Sequence, residues 1–149
     1  MSTARTGRFI WYECLTKDPE QAIAFYKDVV GWGTTLWEGG EDPYHMFTKG
    51  EGVPVAGVMQ LPEEAQAQGA PSHWLAYIGV EDVEATIAKA EALGATKVFG
   101  PLTIPNVGVM AVLQDPQSAF FAVYAPEGDP EHIGDRPELG DGSWHELMT

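Results

Sequence analysis

The stretch LTKDPEQAIAFYKDVVGW, residues 15–32, carries the clearest structural signal in the chain. Asp18 is a favourable N-cap, Pro19 suits the first helical position, and Gln21 completes a capping box. Gly31 is a typical helix terminator because glycine adopts the left-handed conformation at little cost. The stretch therefore predicts a helix that begins at Pro19 and ends before Gly31. Apolar residues at helical spacing predict the face that enters the core: Ala22, Phe25, Tyr26 and Val29.

The segments around this helix have strand character. Before it, RFIWYECLT at residues 8–16 is rich in aromatic and β-branched residues and predicts a strand. After it come three short strand-like runs separated by glycine-containing turns, at residues 33–39, 44–50 and 53–61. The first half therefore has the order strand, helix, strand, strand, strand.

The second half repeats this order. A strand at 73–80 precedes a helix in EDVEATIAKAEALGA, residues 81–95, with an acidic cap at Glu81 or Asp82 and a stop at Gly94. Three strand-like runs follow, at residues 96–104, 107–115 and 119–125. The repeat predicts an α+β protein that is built from two βαβββ modules.

Length, charge and cysteine content set further expectations. With modules at 8–61 and 72–125, we expect a single domain over residues 1–126, which suits a chain of 149 residues. The formal net charge of −14 repels phosphate backbones and anionic membranes, so neither nucleic acid nor a membrane is expected as a partner. A single cysteine, Cys14, and no secretory signal predict a cytoplasmic protein.

The C-terminal residues 127–149 read as a linker with an added strand. Residues 126–142 are rich in glycine, proline and acids, which is typical of an extended connection. The final SWHELMT, residues 143–149, repeats features of IWYECLT at residues 10–16. We expect a strand at 143–149 in which Trp144–Met148 packs on a sheet edge or a subunit interface. The alternative is a frayed tail.

Three motifs resemble the vicinal oxygen chelate superfamily, which includes glyoxalase I, bleomycin-resistance proteins and extradiol dioxygenases. They are LTKDPEQAIAFYKDVVGW (15–32), VEDVEATIAKAEALGA (80–95) and LQDPQSAFFAVYAPEG (113–128). The resemblance implies paired curled sheets around a cup, a glyoxalase/bleomycin-resistance-like fold, and a homodimer. The tail resembles the start of a second domain in tandem-domain members of this superfamily.

Members of this superfamily usually hold a divalent metal ion in the cup with His, Glu or Gln from four strand positions. The matching positions here are Trp11, Trp74 or Leu75, the region of Val58, and Ala122. None of these side chains coordinates such a metal. This departure from the family pattern predicts no metal cofactor, and an aromatic-lined cup that binds a small apolar or aromatic molecule.

Candidate ligand-binding residues follow from this expectation: Trp11, Glu13, Phe47, Trp74 and Tyr77. Glu13 lies two residues from Trp11 on the same strand, so the two side chains share a face. A carboxylate in an aromatic cup would have a raised pKa and could act as a general acid or base. The alternative is a structural Glu13 with an ion-pair or backbone partner.

A second functional hypothesis is an enzyme. Its catalytic candidates are Glu13 with His45 or His73. If His45 faces inward it could meet Glu13 across the sheet, and His73 would lie at the mouth of the cup. Such a pair could serve a lyase, isomerase or dioxygenase-type reaction, with or without a relocated metal ion. A hydrogen-bonded wall position is the alternative for either histidine.

Overall fold

A computed structural model describes residues 6–40, 43–128 and 137–148. The chain divides into two compact units. The N-terminal unit holds residues 11–75 and 137–144 of the described chain, and the C-terminal unit holds residues 6–10, 76–128 and 145–148. None of the helices in the described residues is long and apolar enough to cross a membrane.

The N-terminal unit contains the first βαβββ module. Its elements are β1 (Phe9–Thr16), whose first two residues belong to the C-terminal unit, α1 (Pro19–Val30), β2 (Gly33–Trp37), β3 (Tyr44–Lys49) and β4 (Val53–Gln60), followed by a short α2 (Glu63–Ala67). The strands are ordered β2-β3-β4-β1, with β1 parallel to β4 and the other pairs antiparallel. The predicted module and its strands are confirmed, whereas α2 was not predicted because its segment is short and polar.

Local sequence sets the ends of α1 as predicted. The Asp18 carboxylate accepts the backbone N–H of Gln21 at 2.9 Å, and Pro19 is the first helical residue. Gly31 ends the helix with φ of +79°, in the left-handed region.

The core beneath α1 is smaller than the sequence pattern indicated. Four buried residues form it, Cys14, Phe47, Ala56 and Val58, and the helix contributes Ala22, Ile23 and Tyr26. Phe25 is 56% exposed and Val29 is 65% exposed, so the prediction that both enter the core is wrong. The sheet contacts only a narrow stripe of the helix, which excludes the neighbouring apolar positions.

The C-terminal unit contains the second module. Its elements are β5 (His73–Gly79), whose first three residues belong to the N-terminal unit, α3 (Val83–Ala92), β6 (Thr96–Ile104), β7 (Gly108–Gln114) and β8 (Phe120–Pro126). The order is β5-β8-β7-β6, with β5 parallel to β8. Asp82 caps α3 by accepting the N–H of Ala85 at 2.9 Å. The core consists of Val83, Ile87, Ala111, Leu113 and Val123. The α+β class and the two βαβββ modules are confirmed.

The described end of the chain differs from the expected strand. Residues 143–148 contain no strand, and Trp144, Leu147 and Met148 are exposed. His145 instead stacks on Phe9, with ring centroids 3.8 Å apart and planes 10° from parallel. The ring of His145 therefore anchors this segment on Phe9. Thr149 and His132 lie outside the described residues.

Candidate functional site

A buried carboxylate lies on the face of the N-terminal sheet that points away from α1. Glu13 on β1 is 6% exposed. Its Oε1 accepts the hydroxyl of Tyr44 at 2.7 Å, and the indole Nε1 of Trp11 donates to the same hydroxyl at 3.2 Å. Tyr44 is thus the link between the two residues that the sequence had placed on one face. We call the surface formed by Trp11, Glu13, Tyr44, Met46 and Gly57 the Glu13 face.

The register between strands explains how this face is built. Gly57 on β4 lies opposite both Glu13 on β1 and Met46 on β3. A Cβ atom at position 57 would overlap the Tyr44 hydroxyl and would lie 2.8 Å from Glu13 Oε1. Glycine is therefore required for the Tyr44–Glu13 hydrogen bond to cross β4. Neither Tyr44 nor Gly57 was identified from the sequence, because strand register is not encoded locally.

His45 lies on the opposite face of the sheet. It pairs with Val58, whose neighbour Cys14 on β1 belongs to the core beneath α1. Successive side chains on a strand alternate between faces, so His45 and Glu13 point to different sides. The expected His45–Glu13 pair is therefore not formed, and Tyr44 occupies that role.

The remaining candidates from the sequence occupy different places. His73 begins β5, and its Nδ1 lies 2.8 Å from the backbone oxygen of Pro71. This contact matches the alternative of a hydrogen-bonded structural position for His73. Phe47 is fully buried in the core beneath α1. The indole N–H of Trp74 donates a hydrogen bond of 2.8 Å to the hydroxyl of Tyr26, which lies on α1. Both therefore lie on the α1 side and not on the Glu13 face. Tyr77, in the C-terminal unit, is 7% exposed and meets the ring of Tyr124 edge-on at 6.4 Å.

Burial and a nearby charge raise the pKa of the Cys14 thiol, which follows Glu13 in the chain. Cys14 is buried among the core residues beneath α1. Desolvation by burial raises the pKa of this thiol, and the nearby negative charge of Glu13 raises it further. The single cysteine is therefore a core residue with a protonated thiol at neutral pH.

The donor set does not fit the divalent metal ion that the resemblance implies. Val58 lies in the core beneath α1, and its neighbour Gly57 faces Glu13 without a side chain. Leu75 and Ala122 are buried and apolar, and Trp11 is engaged with Tyr44. Across residues 6–40, 43–128 and 137–148, no three His, Cys, Asp or Glu side chains are grouped to hold a metal ion.

Comparison with known proteins gives a consistent picture. The family model described as a glyoxalase-like domain matches residues 11–124. Proteins of Mycobacterium bovis and Mycobacterium tuberculosis named putative glyoxylase CFP32 are 41% identical over 121 residues, which is 81% of this chain and 45% of theirs. The anthracycline biosynthesis protein DnrV of Streptomyces peucetius is 26% identical over 160 aligned positions, covering all of this chain and 58% of that protein. The chain spans about half the length of these curated relatives.

Solved structures share the fold at low sequence identity. The hypothetical protein BH1468 from Bacillus halodurans gives a TM-score of 0.57 at 15% identity, covering 85% of this chain and 99% of that one. Methylmalonyl-CoA epimerase from Mycobacterium tuberculosis gives 0.54 at 15% identity, covering 86% and 93%. At this identity the likeness concerns the fold alone.

Proposed function

This chain belongs to the glyoxalase-like domain family, and from that premise we propose that it binds a small, largely apolar or aromatic molecule on the Glu13 face without a metal ion. The observation that carries the proposal is the buried Glu13 carboxylate, which Tyr44 holds at 2.7 Å among aromatic side chains. Ligand sites commonly combine apolar walls with a few polar groups that fix orientation. Glu13 supplies such a group, and Trp11 and Tyr44 supply ring surface.

The charge of the site favours a particular kind of ligand. The Glu13 carboxylate on this face accepts hydrogen bonds, so it favours a ligand that carries a hydrogen-bond donor or a positive charge over an anionic ligand. The net charge of −14 also disfavours anionic ligands. The relative DnrV is named for anthracycline biosynthesis, and anthracyclines are planar aromatic molecules. A planar aromatic molecule with a donor group is therefore the first class to test.

An enzymatic role is the second candidate. Glu13 would take a proton from a carbon next to a substrate carbonyl, leaving the electron pair in an enolate, and would then return the proton to that carbon. Tyr44 would hold the carboxylate in position. The relatives named putative glyoxylase support this candidate. A dioxygenase-type reaction would need a metal ion that the donor set does not fit.

Titration of intrinsic tryptophan fluorescence tests the binding role. The probes are fused bicyclic aromatic molecules of similar size that differ in charge: the N-methylquinolinium cation, neutral 2-naphthol and the 2-naphthoate anion. We expect the cation to bind most tightly to the wild-type protein. Glu13→Gln should weaken this binding at least about tenfold, and Tyr44→Phe should weaken it by a smaller factor.

The control for this titration is Glu38→Gln, which removes an exposed carboxylate from the same unit. Unchanged binding of the cation in Glu13→Gln would overturn the proposed site. Metal analysis of the purified protein tests the other half of the proposal. We expect no stoichiometric divalent metal ion and no effect of a chelator on binding. A tightly held ion at one per chain would contradict it.

A further inference from the structure

Residues 137–142, which we call the strap, dock onto the N-terminal unit. The Lys49 ammonium lies 2.6 Å from Asp141 Oδ2 and 3.2 Å from Glu138 Oε2. The indole Nε1 of Trp32 donates to the backbone oxygen of Gly140 at 3.0 Å. The sequence had indicated an extended linker at residues 126–142. The last residues of that linker are instead fixed by two ion pairs and a partly buried hydrogen bond.

Two glycines let the strap lie close to aromatic rings. Gly140 has φ of +95°, and a Cβ there would be 3.0 Å from Lys49 Cβ and 3.4 Å from Trp32 Nε1. A Cβ at Gly142 would be 2.7 Å from the hydroxyl of Tyr12. The Gly-Asp-Gly sequence therefore places the Asp141 carboxylate on Lys49, while Gly140 lies close to the ring of Trp32 and Gly142 lies close to the ring of Tyr12.

A cavity of about 310 Å³ lies between the strap and the α1 side of the sheet. Its walls include Tyr12, Trp32, Trp74, Val30, Val55 and strap residues 140–142. The volume is at the lower end of the range found for small-molecule sites. Trp74 remains 39% exposed although it belongs to the ring cluster with Tyr26 and Trp32. An indole of this kind gains contact area when a flat molecule enters.

The polar groups around the cavity already have partners within the protein. Trp32 Nε1 bonds to Gly140, Trp74 Nε1 bonds to Tyr26, and Asp141 pairs with Lys49. What the walls offer a ligand is ring surface and methyl groups. An anionic ligand would lose hydration here without gaining a counter-ion, because Lys49 already pairs with both Asp141 and Glu138.

We propose that this cavity is a second small-molecule site, separate from the Glu13 face, that takes an uncharged, flat, largely apolar aromatic molecule against Trp32 and Trp74. The strap forms its outer wall. The preference for an uncharged ligand distinguishes it from the Glu13 face, where the buried carboxylate favours a donor or a cation. The two sites lie on opposite faces of the N-terminal sheet.

The test uses the same three probes on the whole chain. We expect 2-naphthol to bind, with a change in tryptophan fluorescence, and 2-naphthoate to bind at least tenfold more weakly at this site. Val55→Phe fills the cavity from a half-buried position and should reduce 2-naphthol affinity about tenfold or more. Asp141→Asn loosens the strap and should reduce it by a smaller factor.

Glu38→Gln, which removes an exposed carboxylate of the same unit, is the matched control and should leave 2-naphthol affinity unchanged. The melting temperature of each variant checks that it is folded, and Trp74→Leu gives an independent variant if Val55→Phe does not fold. If Glu13→Gln abolished 2-naphthol binding and Val55→Phe retained it, the second site would be overturned, whereas the proposal of binding on the Glu13 face would stand. Absence of 2-naphthol binding to the wild-type protein, or equal binding of 2-naphthoate, would also overturn it.

Discussion

At the scale of single residues, the Glu13 face depends on the side chain that is absent at position 57. Gly57 lets the Tyr44 hydroxyl reach Glu13 across β4 and donate a hydrogen bond to the buried carboxylate. A buried acceptor that loses its donor costs about 1–3 kcal/mol. Packing and hydrogen bonding at this site are therefore not separable.

Substitution of Gly57 by alanine tests this dependence. The added methyl group would displace Tyr44 and lengthen its hydrogen bond to Glu13, so we expect a loss of about 1–3 kcal/mol in the free energy of unfolding. Urea unfolding measures the loss. Thr35→Ala, at an exposed position on β2, should change the free energy of unfolding by less than about 0.5 kcal/mol. Equal stability of Gly57→Ala and the wild-type protein would show that the strand relaxes without cost.

At the scale of elements, α1 shows how narrow the contact between a helix and a sheet can be. Tyr26 meets the rings of Phe47, Trp32 and Trp74 at centroid distances of 5.3–5.8 Å and accepts the Trp74 indole N–H. Phe25, one residue earlier, touches the Tyr26 ring from outside and is mostly exposed. Neighbouring aromatic residues on one helix thus differ in their contribution to the core.

Alanine substitution at Tyr26 and at Phe25 should show how much each side chain contributes to the free energy of unfolding. Tyr26→Ala removes a ring from the core cluster and leaves the Trp74 indole without its acceptor, so we expect a loss of roughly 3 kcal/mol in the free energy of unfolding. Phe25→Ala should cost less than about 1 kcal/mol. Thermal and urea unfolding of the two variants give the comparison. A larger loss at Phe25 than at Tyr26 would contradict the described packing of α1.

At the scale of the whole molecule, sequence reasoning succeeded where the signal is local. The caps at Asp18 and Asp82 and the turn at Gly31 are set by a few neighbouring residues, so α1, α3 and the two modules were predicted. Which face a strand residue takes depends on distant pairing partners. The hypothesised pairing of His45 with Glu13 is therefore not formed, and the role of Tyr44 was missed.

The remaining differences have the same physical origin. Phe47 and Trp74 pack beneath α1 because their strands are set in a register that the sequence does not state. The docking of the strap depends on Lys49, far away in the chain, so composition indicated only a linker. The homodimer, the cytoplasmic location, the domain boundary at residue 126 and the lack of a nucleic-acid partner stay predictions.

Alkaline pH should destabilise the protein as a whole. Burial raises the pKa of Tyr12, with a further contribution from Asp141, and burial raises the pKa of Tyr124 above the ordinary value of 10.0. The pKa of Cys14 is raised above 9.0. Each folded-state pKa is higher than the unfolded one, so this stabilisation is complete below about pH 9 and is lost as the pH rises through the folded values.

Urea midpoints measured between pH 7 and pH 11 check this expectation. We expect the midpoint to fall above about pH 9, and the fall to be shallower in Cys14→Ala and Tyr124→Phe than in the wild-type protein. Each variant is compared with its own midpoint at pH 7, because the loss of the Tyr124–Val107 hydrogen bond lowers stability at every pH. A midpoint that rises between pH 8 and pH 10 would contradict the direction of all three shifts.

The pair of indoles beneath α1 also has an optical consequence. The ring centroids of Trp32 and Trp74 are 6.1 Å apart and their planes cross at 69°. Two identical chromophores this close and this far from parallel exchange excitation, so their absorption splits into bands of opposite rotational strength. Circular dichroism should therefore show an exciton couplet that belongs to the native N-terminal unit and disappears when either indole is replaced.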